Sequence, residues 1–134
     1  MKTLWMIGLA SALLGAPVAR ARDISVQGLP PVVVKTIPES GALGVDPGLP
    51  EIRVTFSKDM LAGGWSCVNL SKETFPAVAG ESRFEPDKRT FVMPVKLEPG
   101  KTYAILLNSD KYENFKDAKG QPAMPYILVF ETRK

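Results

Sequence analysis

The side chains of this 134-residue chain that could do chemistry are one thiol and two groups of acidic residues. Cys67 is the single cysteine, and the chain contains no histidine. This composition excludes Cys-His and Ser-His-Asp catalysis, histidine-ligated zinc or haem, and a histidine pH switch. Three interpretations of Cys67 remain: a small buried hydrophobic residue, a site of intermolecular disulfide pairing, or a nucleophile without its usual base.

A first acidic cluster lies in a polar stretch near the C-terminus. Its oxygen-bearing residues are Asp110, Glu113, Asn114 and Asp117. Such hard oxygen atoms suit calcium, but their spacing is not that of an EF-hand loop and lysines interrupt the cluster. The ordinary interpretation is a polar Ω-like loop between two strands with a turn over 117–120, and calcium binding is the alternative.

A second acidic cluster could provide the carboxylate pair of a glycosidase. It consists of Glu81, Glu85 and Asp87. Glycoside hydrolysis needs two carboxyl groups whose pKa values are separated by burial, and nothing around these residues predicts that burial. We therefore predict that the chain is not an enzyme and that it has no catalytic residue, no metal site and no cofactor.

The N-terminus has the pattern of a secretory signal. Residues 1–3 are a short basic opening, residues 4–14 are almost wholly apolar, and Ala19-Arg20-Ala21 fits the small-x-small pattern that signal peptidase reads. An apolar run of about eleven residues is too short for a membrane-spanning helix, which needs roughly twenty. We expect a signal peptide at 1–21, a leader segment at 22–30, and an exported protein, periplasmic or extracellular, without an integral membrane segment.

The charge balance changes when the predicted signal peptide is removed. The full chain has 17 basic and 14 acidic side chains, but Lys2 and Arg20 leave with the signal, so that 15 basic side chains face 14 acidic ones. The remaining lysines are interspersed with carboxylates. The mature sequence therefore has neither the clustered basic residues of a nucleic-acid-binding surface nor those of a polybasic membrane patch, and we expect no nucleic-acid partner.

Residues 31–134 read as one all-β domain. Alternating apolar residues separated by turn clusters predict strands at 31–37, 51–56, 65–70, 91–97, 102–107 and 126–132. In the second of these, Ile52, Val54 and Phe56 are expected to face inward. The irregular segment 71–88 either hides one more short strand or is a functional loop.

Two further strand features carry expectations about position in the sheets. Pro94 cannot donate to a ladder, which predicts an edge strand or a bulge at that position. Residues 126–130 are apolar on both faces. A central strand covered on both sides explains this pattern, and a partner-binding surface would look identical.

The corner Pro99-Gly100 followed by Tyr103 predicts how the chain turns between the strands at 91–97 and 102–107. Proline presets φ, glycine supplies a positive φ, and the Tyr103 hydroxyl can bond back to the corner backbone while its ring enters the core. This tyrosine corner is typical of immunoglobulin-like β-sandwiches. We therefore predict a sandwich of about seven strands, held by core packing because one cysteine cannot form a disulfide between its sheets.

Five motifs occur in an order and spacing that resemble the bacterial Ig-like domains of the S-layer-protein (SbsA) type. They lie at 37–45, 51–60, 99–103, 115–122 and 129–132. The resemblance implies a β-sandwich that serves as an appended or repeated module in secreted and surface proteins, and it implies no catalytic residue. The long segment 71–88 departs from the family pattern.

Three aromatic side chains are the predicted binding residues: Trp65, Phe75 and Phe84. Trp65 follows Gly63-Gly64, which suits either a tight turn or a binding loop, and a core tryptophan is its alternative role. The sequence thus predicts a monomeric, exported, non-catalytic module that binds or scaffolds a protein or cell-envelope component. The alternative is a small secreted enzyme or enzyme inhibitor that uses the Trp65 loop and segment 71–88.

Overall fold

A computed structural model describes residues 23–134 of the chain, and the predicted signal peptide at 1–21 lies outside them. The described residues form eight strands: β1 (Val33–Ile37), β2 (Glu51–Phe56), β3 (Cys67–Asn69), β4 (Ala77–Val78), β5 (Arg83–Phe84), β6 (Thr90–Lys96), β7 (Thr102–Leu107) and β8 (Tyr126–Glu131). This part of the chain has no helix, and therefore none long and apolar enough to cross a membrane.

The strands build two antiparallel sheets that pack face to face. One sheet has the order β1-β2-β6-β4, with β5 also paired to β6, and the other has the order β3-β7-β8. The predicted all-β sandwich is confirmed. Segment 71–88 contains two short strands, β4 and β5, where the sequence left a choice between one hidden strand and a loop.

The core lies between the sheets and follows the predicted alternation. In β2 the side chains of Ile52, Val54 and Phe56 are buried, and the register places Ile52 opposite Met93 and Val54 opposite Phe91 of β6. The second sheet contributes another set of buried side chains: Tyr103, Ile105, Leu107, Leu128 and Phe130. β2, β7 and β8 therefore direct large apolar residues to the core at every second position, whereas β6 also buries Val92 between Phe91 and Met93.

The edge position predicted for Pro94 is wrong, because β6 lies inside its sheet between β2 and the pair β4 and β5. Val95 N–H donates to Pro50 on the β2 side, so the missing Pro94 donor faces the other side. There β5 pairs with 91–92 and β4 with 95–96, and Ala79 N–H, just after β4, donates to Pro94 O. The proline is accommodated because the regular ladder with β4 ends beside it, at Val95.

A central position for 126–130 is also wrong, because β8 is the last strand of its sheet. Ile127 and Val129 are 51% and 37% exposed on the outer face. Residues 40–42 cover the free edge of β8, with Gly41 N–H donating to Val129 O and Glu131 N–H donating to Ala42 O. The apolar outer face is therefore solvent-exposed, while the edge beside it is paired.

The crossing loop, residues 108–125 between β7 and β8, enters the core through Phe115, whose side chain is 0% exposed. Asn108, itself buried, secures this residue: Oδ1 accepts from Phe115 N–H at 2.9 Å, and Nδ2 donates to the carbonyl oxygens of Phe115 and Ala123 at 2.9 and 3.0 Å. A buried amide that uses three of its hydrogen-bonding positions locks the loop backbone in place.

Lys58, just after β2, is a buried cation. Its Nζ lies 2.8 Å from Asp117 Oδ2 and donates to the carbonyl oxygens of Gln27 and Leu29 at 2.7 and 3.1 Å. The ammonium therefore joins the leader segment to the crossing loop. Within the described residues neither segment contains a strand, so Lys58 connects two parts of the chain that strand pairing does not connect.

Asp117 is the buried anion of the pair. Its Oδ1 accepts from the N–H groups of Lys119 and Gln121 at 2.9 and 2.8 Å, while among the described residues Oδ2 has no aligned hydrogen bond and meets the Lys58 ammonium by charge. Burial alone would raise the pKa of Asp117, but Lys58 and the two N–H groups outweigh it and lower the pKa.

The predicted tyrosine corner is present. Gly100 has a φ of 64°, and Glu98 N–H donates to Tyr103 Oη at 2.8 Å while the Tyr103 ring is fully buried. The ring also packs against Phe130 of β8, with centroids 5.5 Å apart. One side chain thus fixes the β6–β7 turn and fills the core beneath it.

We expect Tyr103→Phe to lower the free energy of unfolding by about 1 kcal/mol, because it leaves Glu98 N–H without its acceptor. Tyr103→Ala should cost roughly 3 kcal/mol or more, because it also creates a cavity. Urea denaturation measures both. Tyr126→Phe is the matched control, since no hydrogen bond of the Tyr126 hydroxyl occurs within residues 23–134. Equal small effects from both Tyr103 variants would contradict a buried corner.

We expect Lys58→Met to destabilise the protein by about 3 kcal/mol or more, because it leaves the Asp117 carboxylate buried without a counter-charge. The double variant Lys58→Met with Asp117→Asn should lose less than the sum of the two single losses, as measured by urea denaturation. Additive losses would contradict a coupled buried pair.

The pH dependence of stability tests the same pair. A lowered folded-state pKa stabilises the native protein above the ordinary aspartate value of about 3.9, and that stabilisation is lost as the pH falls through the folded-state pKa. In Asp117→Asn the loss of stability between pH 5 and 2, measured by urea denaturation at several pH values, should therefore be smaller than in the parent protein. An equal loss in both proteins would contradict a lowered pKa of Asp117.

Candidate functional site

A cleft of about 510 Å³, here called the Trp65 cleft, opens between the two sheets. Its lining residues are Trp65, Ser66, Cys67, Val68, Asn69, Phe75, Val78, Ser82, Met93, Tyr112 and Asn114. β3 comes from the three-stranded sheet, Val78 and Met93 from the five-stranded sheet, and Tyr112 and Asn114 from the crossing loop. The cleft therefore lies where the sandwich is open along the β3 side.

Three aromatic residues give the Trp65 cleft its apolar character. Trp65 is 38% exposed, and its ring lies 5.3 Å from that of buried Phe91. Tyr112 is 49% exposed, and Phe75 is partly buried against the core. Trp65 is thus a core tryptophan on one side and an exposed cleft residue on the other, which combines the two predicted roles.

The polar groups of the cleft are neutral hydroxyls and amides, and none of its eleven lining residues is charged. Ser66 Oγ accepts a hydrogen bond from Asn114 N–H at 3.0 Å, which ties the crossing loop to the start of β3. Gly64 permits this approach, because a Cβ there would stand 3.2 Å from the Asn114 carbonyl oxygen. An apolar concavity with a few polar groups is the usual form of a binding site.

Cys67 lines the cleft, and its surroundings do not activate its thiol. Burial raises the pKa of its thiol to about 12, so the thiol stays protonated at neutral pH. The structure thus opposes the nucleophile interpretation. Disulfide pairing between molecules remains a prediction.

The structure brings together two of the three predicted binding residues. Trp65 and Phe75 line the cleft, whereas Phe84 packs among core rings, 5.5 Å from Phe91 and 6.3 Å from Phe115. Phe84 is therefore placed for core packing. Tyr112, which lines the cleft, escaped sequence reasoning because only the folding of the crossing loop brings it near Trp65.

The first acidic cluster is not assembled as a cation site. Asp117 is committed to Lys58 and to two backbone N–H groups, while Asp110 and Glu113 are exposed. Residues 23–134 contain no group of three or more acidic, cysteine or histidine side chains placed to hold a metal ion.

The second acidic cluster is used for local structure. Glu85 lies 3.2 Å from Arg53. Asp87 accepts from the hydroxyl and N–H of Thr90 and from Arg89 N–H, and these hydrogen bonds lower its pKa. Glu85 and Asp87 are therefore engaged in separate local contacts.

The sheets, the tyrosine corner and the neutral cleft define an immunoglobulin-like β-sandwich module. The chain belongs to the bacterial Ig-like domain family, whose model matches residues 28–132. The resemblance to S-layer-type Ig-like domains is thereby confirmed.

Two solved structures are similar to this fold: the S-layer protein rSbsC(31-844), and domains 1-6 of the surface layer protein SbsC. For each, the identity is 20% and the TM-score 0.50, and the match covers 81% of this chain and 14% of the other. This chain therefore spans about a seventh of those chains. No curated protein sequence matches it.

We expect Cys67 to resist iodoacetamide in the native protein at pH 8 and to react after unfolding in urea, because its thiol is protonated and partly buried. Mass spectrometry measures the labelled fraction. Cys67→Ser should reduce stability. Rapid labelling of the native protein, or a disulfide-linked dimer on a non-reducing gel, would support the pairing interpretation instead.

Proposed function

We propose that this protein is an exported, non-catalytic module that binds a cell-envelope or extracellular partner through the Trp65 cleft. The observation that carries the proposal is the cleft itself, a neutral concavity with three aromatic residues on a rigid β-sandwich. Aromatic side chains supply large contact areas at little conformational cost, which is why they dominate binding hot spots. Its one thiol is protonated, so the cleft offers binding groups without an activated nucleophile.

The proposed location rests on two observations. The N-terminal residues 1–21 have the pattern of a signal peptide, and the domain belongs to a bacterial Ig-like family. Surface-layer proteins share the fold. These features support a periplasmic or extracellular location, with a protein or envelope component as partner and no nucleic acid.

The rival function, a small secreted enzyme or enzyme inhibitor, has less support. The eleven residues that line the cleft include no acid and base pair, since none of them is an aspartate, glutamate, lysine or arginine. Segment 71–88 contributes cleft residues, but its Phe84 is directed to the core. Binding is therefore the activity that the geometry of the cleft supports best.

We expect Trp65→Ala and Tyr112→Ala each to weaken binding of the full chain to the envelope fraction of the producing bacterium by tenfold or more, because truncating a binding hot spot costs about 2 kcal/mol. Co-sedimentation over a concentration series measures the affinity. Leu43→Ala is the matched control, since Leu43 is an exposed apolar residue that does not line the cleft.

Phe84→Ala separates a structural from a binding role. We expect it to lower the free energy of unfolding by roughly 3 kcal/mol, because its ring fills space between core phenylalanines. Its affinity per folded molecule should stay within about threefold of the parent, well inside the tenfold loss expected of a hot spot. If Trp65→Ala and Tyr112→Ala remain folded and bind as the parent does, the cleft is not the binding site.

A further inference from the structure

We propose that the Trp65 cleft receives an extended segment of a partner protein, which pairs with the free edge of β3 as a fourth strand of that sheet. This inference rests on the proposed binding function and adds the chemical class of the ligand and its mode of binding. Strand addition to an exposed sheet edge is a general mode of peptide recognition, in which backbone hydrogen bonds give affinity and side-chain pockets give specificity.

The register of β3 against β7 shows which backbone N–H and C=O groups of β3 have no partner in that ladder. Asn108 N–H donates to Ser66 O, so Ser66 and, two residues on, Val68 direct their backbone groups toward β7. The alternate residues Cys67 and Asn69 stand at the non-hydrogen-bonded positions opposite Leu107 and Ile105. Their N–H and C=O groups therefore point away from β7.

The free edge of β3 lies along the cleft. Its lining includes all three residues of β3, Cys67, Val68 and Asn69, and the two residues before them. Successive side chains of a strand point to opposite faces of the sheet, so one face cannot account for all three β3 residues. What these three residues share on one side is the strand edge, which carries the outward backbone groups of Cys67 and Asn69.

The opposite wall suits the side chains of an added strand. Phe75 and Val78 present apolar surface to the cleft, Met93 beside them is buried, and the lining carries no charge. The backbone of an extended peptide is uncharged, and its N–H and C=O groups need hydrogen-bond partners that are spaced as they are along a strand. A neutral cleft with such a row on one wall and apolar side chains on the other matches an extended peptide with apolar residues at alternate positions.

The two edges of the three-stranded sheet are treated differently. Residues 40–42 cover the β8 edge through hydrogen bonds to Val129 and Glu131. β3, with the sequence Cys67-Val68-Asn69, has no lysine, proline or bulge along its edge, and its length of three residues is the edge-protecting feature that it does have. The open edge is thus the one that faces the aromatic cleft.

The test removes one outward donor and leaves the β7 ladder intact. Asn69→Pro deletes the N–H that points into the cleft, and Asn69→Ala is the matched control, because it removes the side chain and keeps the N–H. The probe is the envelope fraction used above, with the full chain. We expect Asn69→Pro to bind at least tenfold more weakly than Asn69→Ala, because both variants lack the Asn69 side chain and only the proline variant also lacks the N–H. Equal binding by the two variants would contradict strand addition.

Two further measurements do not depend on a variant that folds. Digesting the envelope fraction with proteinase K should abolish binding, because the ligand is a polypeptide. Hydrogen exchange followed by mass spectrometry should show slower exchange in residues 65–70 of the parent chain when it is bound, because the Cys67 and Asn69 amides gain acceptors.

The outcomes separate this inference from the proposed function. If Trp65→Ala loses binding while folded Asn69→Pro keeps it, the cleft binds a ligand but not by strand addition. If binding survives proteinase K, the ligand is a glycan or lipid and the inference is wrong.

A dimer that Asn69→Pro abolishes, without envelope binding, would make a second copy of this chain the occupant. If neither Trp65→Ala nor Asn69→Pro changes binding, the proposed function fails as well.

Discussion

The crossing loop is anchored in the core at four buried residues, Asn108, Phe115, Asp117 and Ala123, and the buried backbone groups there must find partners because water cannot reach them. Asn108 bonds three backbone groups of Phe115 and Ala123, and Asp117 accepts from two N–H groups of the turn between those residues. These hydrogen bonds hold Phe115 against Phe91, with ring centroids 5.0 Å apart. The interior of the sandwich therefore depends on a few polar side chains as much as on its apolar ones.

The same loop builds one wall of the Trp65 cleft. Tyr112 and Asn114 precede Phe115 in the chain, and Ser66 Oγ accepts the Asn114 N–H. Fixing Phe115 in the core thus fixes the cleft residues that lie within three positions of it. Lys58 extends the arrangement to the leader segment through the carbonyl oxygens of Gln27 and Leu29. Core, cleft and leader segment share one polar framework.

Local patterns explain what the sequence could predict. The bounds of β2 and β7 and the inward residues of β2 follow from alternation over six residues, and the Tyr103 corner follows from turn chemistry within five positions. β4 and β5 have two residues each, which is too short for any period to be visible. The position of Pro94 depends on where the ladder with β4 ends, and the approach of Tyr112 to Trp65 depends on the folded loop. Neither is a local property.

The contact between Trp65 and Phe91 links occupancy of the cleft to the stability of the whole domain. The Trp65 ring lies 5.3 Å from that of Phe91 and also lines the cleft, so a ligand that binds only the folded protein there would contact a side chain that packs against the core. By mass action such a ligand stabilises the native state by about 2.7 kcal/mol at a hundredfold excess over its Kd. The melting temperature of the protein should therefore rise with the concentration of such a ligand. By the same reciprocity, a core substitution that shifts Phe91 changes affinity without touching the ligand.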